Sequence, residues 1–212
     1  FILIFIFLKL DNRFLINQLY FETFNKTFVL NYSSYFLTTL FILLLLNSIN
    51  MADGINGNSG VIFFIYIFLI YEKSIELNYF LFVISISLLI FLFFNFNNKI
   101  YMGDSGIYFI SFLIAIYIIN KYNYDYTNLS CEKIFLIFMI PGIDMFRLFC
   151  SRIYNKKNPF KGDLDHFHHL LMRKLDLKFS IIAYAFLILW PNIMSKLIDV
   201  NDLVLIFLNL LL

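Results

Sequence analysis

Residues 77–98 read LNYFLFVISISLLIFLFFNFNN, a stretch of 22 residues between Glu76 and Lys99 that contains no charged side chain. A helix of about 20 apolar residues is long enough to cross the hydrocarbon core of a bilayer. The stretch lacks the alternation of apolar and polar residues that a barrel strand requires. It therefore predicts a membrane-spanning helix.

The same pattern recurs on both sides of this stretch, because charged residues divide the chain into apolar runs. The predicted spans lie near 1–9, 33–49, 59–71, 79–95, 105–120, 133–150, 179–197 and 201–212. The runs at 59–71 and 201–212 are short for a hydrocarbon core of about 30 Å. We predict an all-α polytopic membrane protein with about seven or eight transmembrane helices, in one integral-membrane domain over residues 1–212.

The segment 10–32 differs from these runs, since it carries four charged residues and short alternating pieces: Asp11, Arg13, Glu22 and Lys26. Alternation of this kind favours strands over a membrane helix. We expect a small extracytoplasmic β-hairpin or extended loop here.

Composition excludes several classes of protein. Of 212 residues, 61% are hydrophobic and 14% are charged, with a net charge of +2, whereas soluble domains carry about 25% charged residues. A disordered chain, an ordinary soluble enzyme, a disulfide scaffold and an electrostatic nucleic-acid binder are all excluded.

The chain begins at Phe1, within an apolar run, so we expect the N-terminal part of the natural protein to lie upstream.

Basic residues predict the orientation. Seven of the sixteen Lys and Arg residues lie within 152–178, and such loops are usually cytoplasmic. Counting back two spans at a time puts the loops near 95–104 and 47–58 on the same face. A transporter would tend to place polar residues near the membrane midplane instead, so the pattern favours an active site at the membrane surface.

The first polar loop, residues 47–58, reads NSINMADGINGN. Asn47, Asn50 and Asp53 would share one stripe of a continuing helix. Gly54 and Gly57 permit a tight turn or the close approach of a ligand. A helix C-terminus with a Gly/Asn cap fits the same pattern.

The second polar loop, residues 95–106, reads NFNNKIYMGDSG. Asp104 begins an uncharged run, so it can cap the helix that follows. A carboxylate at this position can also be an oxygen ligand for Mg²⁺, which often takes one or two carboxylates together with substrate phosphates.

The third polar loop, residues 158–169, reads NPFKGDLDHFHH and holds all three histidines of the chain. The cluster can bind a metal, can position phosphate oxygens, or can be a solvated turn. Upstream of it, Asp144 and Arg147 are spaced for a local ion pair in a span that also contains Pro141.

Together these segments resemble the polyprenyl-phosphate N-acetylhexosamine-1-phosphate transferase family, of the glycosyltransferase family 4 type. The resemblance runs from about residue 30 to residue 178. Four motifs carry it in order: NSINMADGING (47–57), YMGDSG (101–106), PGIDMFRLFCSR (141–152) and PFKGDLDHFHH (159–169).

Three departures from the family pattern stand out. Asn56 replaces the usual second Asp of its motif, and Tyr101 replaces the usual Phe. The family's pair of adjacent aspartates is absent; Asp11 echoes it, but the span 33–49 would put Asp11 on the outer face. We therefore expect the Asp-Asp loop upstream of Phe1, and little activity from residues 1–212 alone.

The resemblance implies transfer of N-acetylhexosamine 1-phosphate from a UDP-sugar to a polyprenyl phosphate, as the start of cell-envelope polysaccharide synthesis such as that of the O-antigen. It implies Mg²⁺, with Mn²⁺ as an alternative ion, held by Asp104 and Asp53. The histidines that would hold the diphosphate are His166, His168 and His169. The residues that would bind the nucleotide sugar are Asn50, Gly54, Asn56, Tyr101, Asn95 and Arg152.

The implied partners are a UDP-N-acetylhexosamine, undecaprenyl-type polyprenyl phosphate and the lipid bilayer, without nucleic acid, and a homodimer is compatible with them. The implied location is the bacterial inner membrane, with several passes and with the polar loops in the cytoplasm. The competing hypothesis is a non-catalytic polytopic membrane protein, transporter-like or a degenerate relative, whose polar loops are only caps and turns.

Overall fold

The computed structural model describes residues 2–71, 75–158, 165–197 and 201–210, with the backbone alone for residues 75–78. The strands are β1 (Gln18–Phe21) and β2 (Lys26–Val29). The helices are α1 (Ile2–Leu10), α2 (Ser34–Ala52), α3 (Asn58–Ile70), α4 (Ile75–Phe96), α5 (Gly103–Tyr124), α6 (Cys131–Tyr154), α7 (Phe167–Met172), α8 (Leu177–Leu197) and α9 (Asp202–Leu210).

The all-α polytopic class is confirmed, but the number of spans is not. Within the described ranges, five helices are long and apolar enough to cross a membrane: α2, α4, α5, α6 and α8. The predicted spans at the positions of α1, α3 and α9 form helices of 9, 13 and 9 residues. At a rise of about 1.5 Å per residue, even α3 is about 20 Å long, which is less than a hydrocarbon core.

The long helices alternate in direction, which gives the bundle two distinct ends. Helices α2, α4 and α6 finish at the end where α3, α5 and α8 begin, and we call this the loop end. The described parts of the three polar loops lie there. The opposite end, the hairpin end, carries β1, β2 and the connection between α5 and α6.

The predicted hairpin is confirmed. Strands β1 and β2 pair antiparallel, from Gln18 opposite Val29 to Phe21 opposite Lys26. The Tyr20 amide donates to the Tyr122 hydroxyl at 2.7 Å, and Glu132 accepts from the amides of residues 22 and 23 at 3.2 Å each. The hairpin is thus held on the ends of α5 and α6, away from the polar loops.

Helix α2 lies at the centre of the bundle, where it contacts α5 and α6. Its side chains Ile42 and Ile49 are fully buried. Across the core, the Tyr66 ring of α3 packs edge-on against the Phe138 ring of α6, with 4.7 Å between centroids. This packing connects the helices whose ends carry the polar loops, so it sets the relative positions of those loops.

Candidate active site

The first polar loop follows directly from the end of α2. Asn47 and Asn50 lie in the last turns of the helix, and Asp53 is the residue that caps it. The Asn58 side chain donates to the carbonyl of Ala52 at 2.7 Å and closes the turn. Asn50 and Asp53 remain half-buried at the loop end.

Asn95 joins the first polar loop to the second. Its side chain is 4% exposed, its Oδ1 accepts the Gly57 amide at 2.5 Å, and its Nδ2 donates to the Ile100 carbonyl at 2.7 Å. Next to this junction, the Asn56 side chain donates to that of Asn98. Gly57 has a φ of +88°, a conformation that glycine adopts without strain.

The carboxylates of Asp53 and Asp104 come within electrostatic reach of each other. Burial raises the pKa of the Asp53 carboxyl, and the charge of Asp104 raises it further, while a hydrogen bond from Ser59 lowers it. Asp104 lies in the first turn of α5, after Gly103, so it is inside the helix rather than at the cap position. Its side chain is exposed.

The histidines of the third polar loop lie against the first. A Cβ atom built on Gly54 would overlap Nε2 of His168 and would lie 2.8 Å from Nε2 of His169. The His168 ring is 4.2 Å from that of His169 and 5.6 Å from that of His166, measured between centroids. Three segments that are distant in sequence thus meet at one place.

His168 is neutral in this environment. It is 1% exposed, and burial, with the neighbouring His169 and His166, lowers its pKa to about 3. Neither of its ring nitrogens has a hydrogen-bond partner among the described residues. Buried polar groups are nearly always paired in proteins, so the two ring nitrogens of His168 are exceptions.

Asp144 connects the histidines to α6. The predicted ion pair with Arg147 is confirmed, at 2.8 Å. The same carboxylate also lies 3.2 Å from Nδ1 of His166 and accepts the Phe167 amide at 3.1 Å. Sequence reasoning missed these two contacts; the one available signal was a charged Asp within a membrane helix.

The amino-acid sequence of residues 1–121 matches the profile of glycosyl transferase family 4. The match covers more than half of the 212 residues and includes the first and second polar loops. The chain belongs to glycosyl transferase family 4.

Similar proteins include a probable undecaprenyl-phosphate N-acetylglucosaminyl 1-phosphate transferase of Bacillus subtilis (strain 168). It is 32% identical over 154 residues, which are 69% of this chain and 43% of that protein. The undecaprenyl-phosphate alpha-N-acetylglucosaminyl 1-phosphate transferase of Escherichia coli (strain K12) is 29% identical over 155 residues, 68% of this chain and 42% of that protein. The chain therefore spans less than half the length of these relatives.

Two other predicted site residues of this family 4 chain are Tyr101 and Arg152. Tyr101 is 70% exposed, in the second polar loop. Arg152 is buried near the end of α6, where it lines a polar cavity of about 230 Å³ together with Arg147 and Lys157. Residues 159–164 of the third motif, with Lys161 and Asp163, lie outside the described residues.

The metal predicted for this family 4 chain was tested against the donor atoms present. Among the described residues, no group of three or more His, Cys, Asp or Glu side chains forms a metal cage. Asp53 and Asp104 do supply two carboxylates whose charges interact. Such a pair suits Mg²⁺, which commonly completes its shell with water and substrate phosphates.

Proposed function

We propose that the protein transfers N-acetylhexosamine 1-phosphate from a UDP-sugar to a polyprenyl phosphate, at the cytoplasmic face of the bacterial inner membrane. The product would be a polyprenyl-diphosphate sugar, on which a cell-envelope polysaccharide is begun. One observation carries the proposal: Asp53, Asp104 and the histidine cluster converge at one end of an apolar bundle. The names of the B. subtilis and E. coli relatives describe the same type of reaction.

The paired carboxylates suit a reaction between two phosphates. A phosphate monoester is mostly ionised at neutral pH, since its second pKa is near 6, so the acceptor scarcely needs a base. Mg²⁺, held by Asp104 and Asp53, would offset the repulsion between acceptor and donor phosphates. Asp104 is exposed and could hold such an ion; Asp53 is half-buried and would help to orient it.

The histidines suit the diphosphate of the donor. With a pKa near 3, His168 is uncharged at neutral pH and offers one N–H as a donor. His169 lies beside it and faces Gly54 as well. Because Gly54 follows Asp53 directly, phosphate oxygens bound by these imidazoles would lie next to the carboxylates.

The nucleoside has room at the surface of the loop end. The Tyr101 ring is 70% exposed and can stack on a base. Asn50 and Asn56 are half-buried and can contribute hydrogen bonds to the uridine or the sugar. The role proposed for Asn95 is different: its amide is engaged with Gly57 and Ile100, so it holds the pocket rather than touching the ligand.

An apolar groove suits the prenyl chain of the acceptor. A cavity of about 550 Å³ lies between α2 and α6, and its walls are almost entirely hydrocarbon. It extends from Leu19 and Tyr122 at the hairpin end to Ser48 and Phe146 toward the loop end. A lipid lying there would present its phosphate at the level of the carboxylates.

Release of UMP tests this proposal. Membranes containing the complete product of the gene should form UMP from a UDP-N-acetylhexosamine only when both polyprenyl phosphate and Mg²⁺ are supplied, and chelation should stop the reaction. Release of UDP instead would indicate ordinary glycosyl transfer. UMP formation without polyprenyl phosphate would contradict the proposed acceptor.

A further inference from the structure

Asp144 is a buried acceptor on which three different donors converge. It lies in α6 with 6% of its surface exposed. Its Oδ1 accepts from Nη2 of Arg147 at 2.8 Å and from Nε at 3.3 Å. Its Oδ2 accepts the Phe167 amide at 3.1 Å and lies 3.2 Å from Nδ1 of His166. Both carboxylate oxygens are therefore occupied.

This arrangement determines which nitrogen of His166 carries hydrogen. A guanidinium and a backbone N–H already donate to Asp144, which is the partner set of an ionised carboxylate. An ionised carboxylate has no hydrogen to give, so Nδ1 of His166 must be the donor. The neutral imidazole then leaves Nε2 as an acceptor, and a second proton on Nε2 would make it a donor.

The same contacts hold the backbone at the start of α7. Phe167 is the first residue of this six-residue helix, and its amide is bound by Asp144. Two residues before Phe167, the Asp165 carbonyl accepts from Nη2 of Arg147 at 2.6 Å. The side chains of Asp144 and Arg147 in α6 thus hold residues 165–167 in place, directly before His168.

The packing of His168 restricts movement of residues 165–167. His168 packs against Gly54 at contact distance, and its ring is nearly parallel to that of His166, with 8° between planes. A shift of the α7 start would therefore move both rings relative to the first polar loop.

We propose that Asp144 is a positioning residue that selects the Nδ1–H tautomer of His166 and, with Arg147, holds the histidine cluster against Gly54. We call this set of hydrogen bonds from Asp144 and Arg147 the clamp. Its contribution to transfer rests on the proposed function. The position of the hydrogen on His166 does not, and it can be measured without any substrate.

The first experiment is nitrogen NMR of the protein labelled with ¹⁵N-histidine, in detergent or nanodiscs, with the His166 signals identified by their loss in His166→Gln. Wild-type protein should show Nδ1 protonated at neutral pH. In Asp144→Asn, the amide keeps only one acceptor oxygen for donors on both sides, so His166 should move toward the Nε2–H tautomer. An unprotonated Nδ1 in the wild type overturns the proposal, even if the variant fails to fold.

The second experiment compares the kinetics of Asp144→Asn with those of Asp176→Asn. Asp176 is an exposed residue near the start of α8, so its variant removes the same charge from the same end of the bundle. We expect Asp144→Asn to lower kcat by about tenfold to a hundredfold, as when the partner of a site histidine is removed. KM for the UDP-sugar should change less, and Asp176→Asn should resemble the wild type.

The two proposals fail separately. If the wild-type protein makes no polyprenyl-diphosphate sugar, the proposed function fails. The tautomer of His166 still shows whether the proposed clamp exists. If transfer occurs and Asp144→Asn leaves both kcat and the His166 signals unchanged, only the clamp is wrong.

Discussion

Gly54 and His168, 114 positions apart in the sequence, are packed so closely that a side chain on residue 54 would overlap the imidazole. The contact joins the end of α2 to the start of α7. It puts the histidines beside Asp53, and so makes one site of two motifs that are far apart in the chain.

Gly54→Ala should therefore displace His168 and abolish most of the transfer activity. A displacement of about 1 Å in a reacting constellation can lower a rate about a hundredfold. The measurement is UMP formation by membranes with matched protein levels. Ser87→Ala is the control, since Ser87 is exposed on α4 and, among the described residues, its hydroxyl bonds within its own helix. Equal activity of the two variants would contradict the packing described here.

Asp104→Asn should lower transfer by about a hundredfold or more, the scale for losing a group that stabilises charge in the transition state. The variant should also bind Mg²⁺ more weakly, seen as a higher Mg²⁺ requirement for any residual activity. Asp11→Asn is the matched control, because Asp11 pairs with Arg13 in the segment that leads to the hairpin end. A comparable loss in Asp11→Asn would move the catalytic carboxylate to that segment and contradict the site.

Asn95→Ala should loosen the junction between the first and second polar loops. It removes the partners of the Gly57 amide and the Ile100 carbonyl, and each buried polar group left unpaired costs about 1–3 kcal/mol. Hydrogen exchange at the Gly57 amide should accelerate, and transfer should fall. Asn97→Ala is the control, since Asn97 is exposed and, among the described residues, its side chain bonds only to the end of its own helix. Unchanged exchange in Asn95→Ala would refute the junction.

The free energy of unfolding should depend on pH through His168. Its pKa is about 3 in the folded protein against 6.5 when unperturbed, so the unfolded chain binds more protons between these values. Stability is fully present above pH 6.5 and should fall by up to about 1.4 kcal/mol per pH unit as the pH drops toward 3. Denaturant unfolding in detergent should show this slope, and His168→Gln should reduce it. An equal slope in the variant would rule His168 out as its source.

Much of the fold can be predicted from the sequence. A charged side chain is unfavourable inside a bilayer, so charged residues mark where the membrane helices end. The run between Glu76 and Lys99 predicted α4, and the alternating segment 10–32 predicted the hairpin. The number of spans could not be predicted in the same way, since an apolar run such as 59–71 has the composition of a membrane helix but is too short to be one. The sequence of a 13-residue helix does not determine how deeply that helix enters the bilayer.

For the candidate site, the types of residue were easier to predict than their connections. The Asp144–Arg147 pair was predictable because helix geometry brings residues three apart together. The contact between Asp144 and His166 depends instead on how α7 packs on α6, which no local pattern encodes. The part played by Asn95 was missed for the same reason, since its partner Gly57 is 38 positions away.

The most direct test follows the β-phosphate of the donor. UDP-N-acetylglucosamine labelled with ³²P at the β-phosphate is incubated with polyprenyl phosphate, Mg²⁺ and membranes containing the complete gene product. Transfer of sugar 1-phosphate predicts that the label enters the lipid fraction in an acid-labile diphosphate, while unlabelled UMP is released. Label that stays with the nucleotide as UDP, or that remains in the donor despite both substrates and metal, would contradict the account.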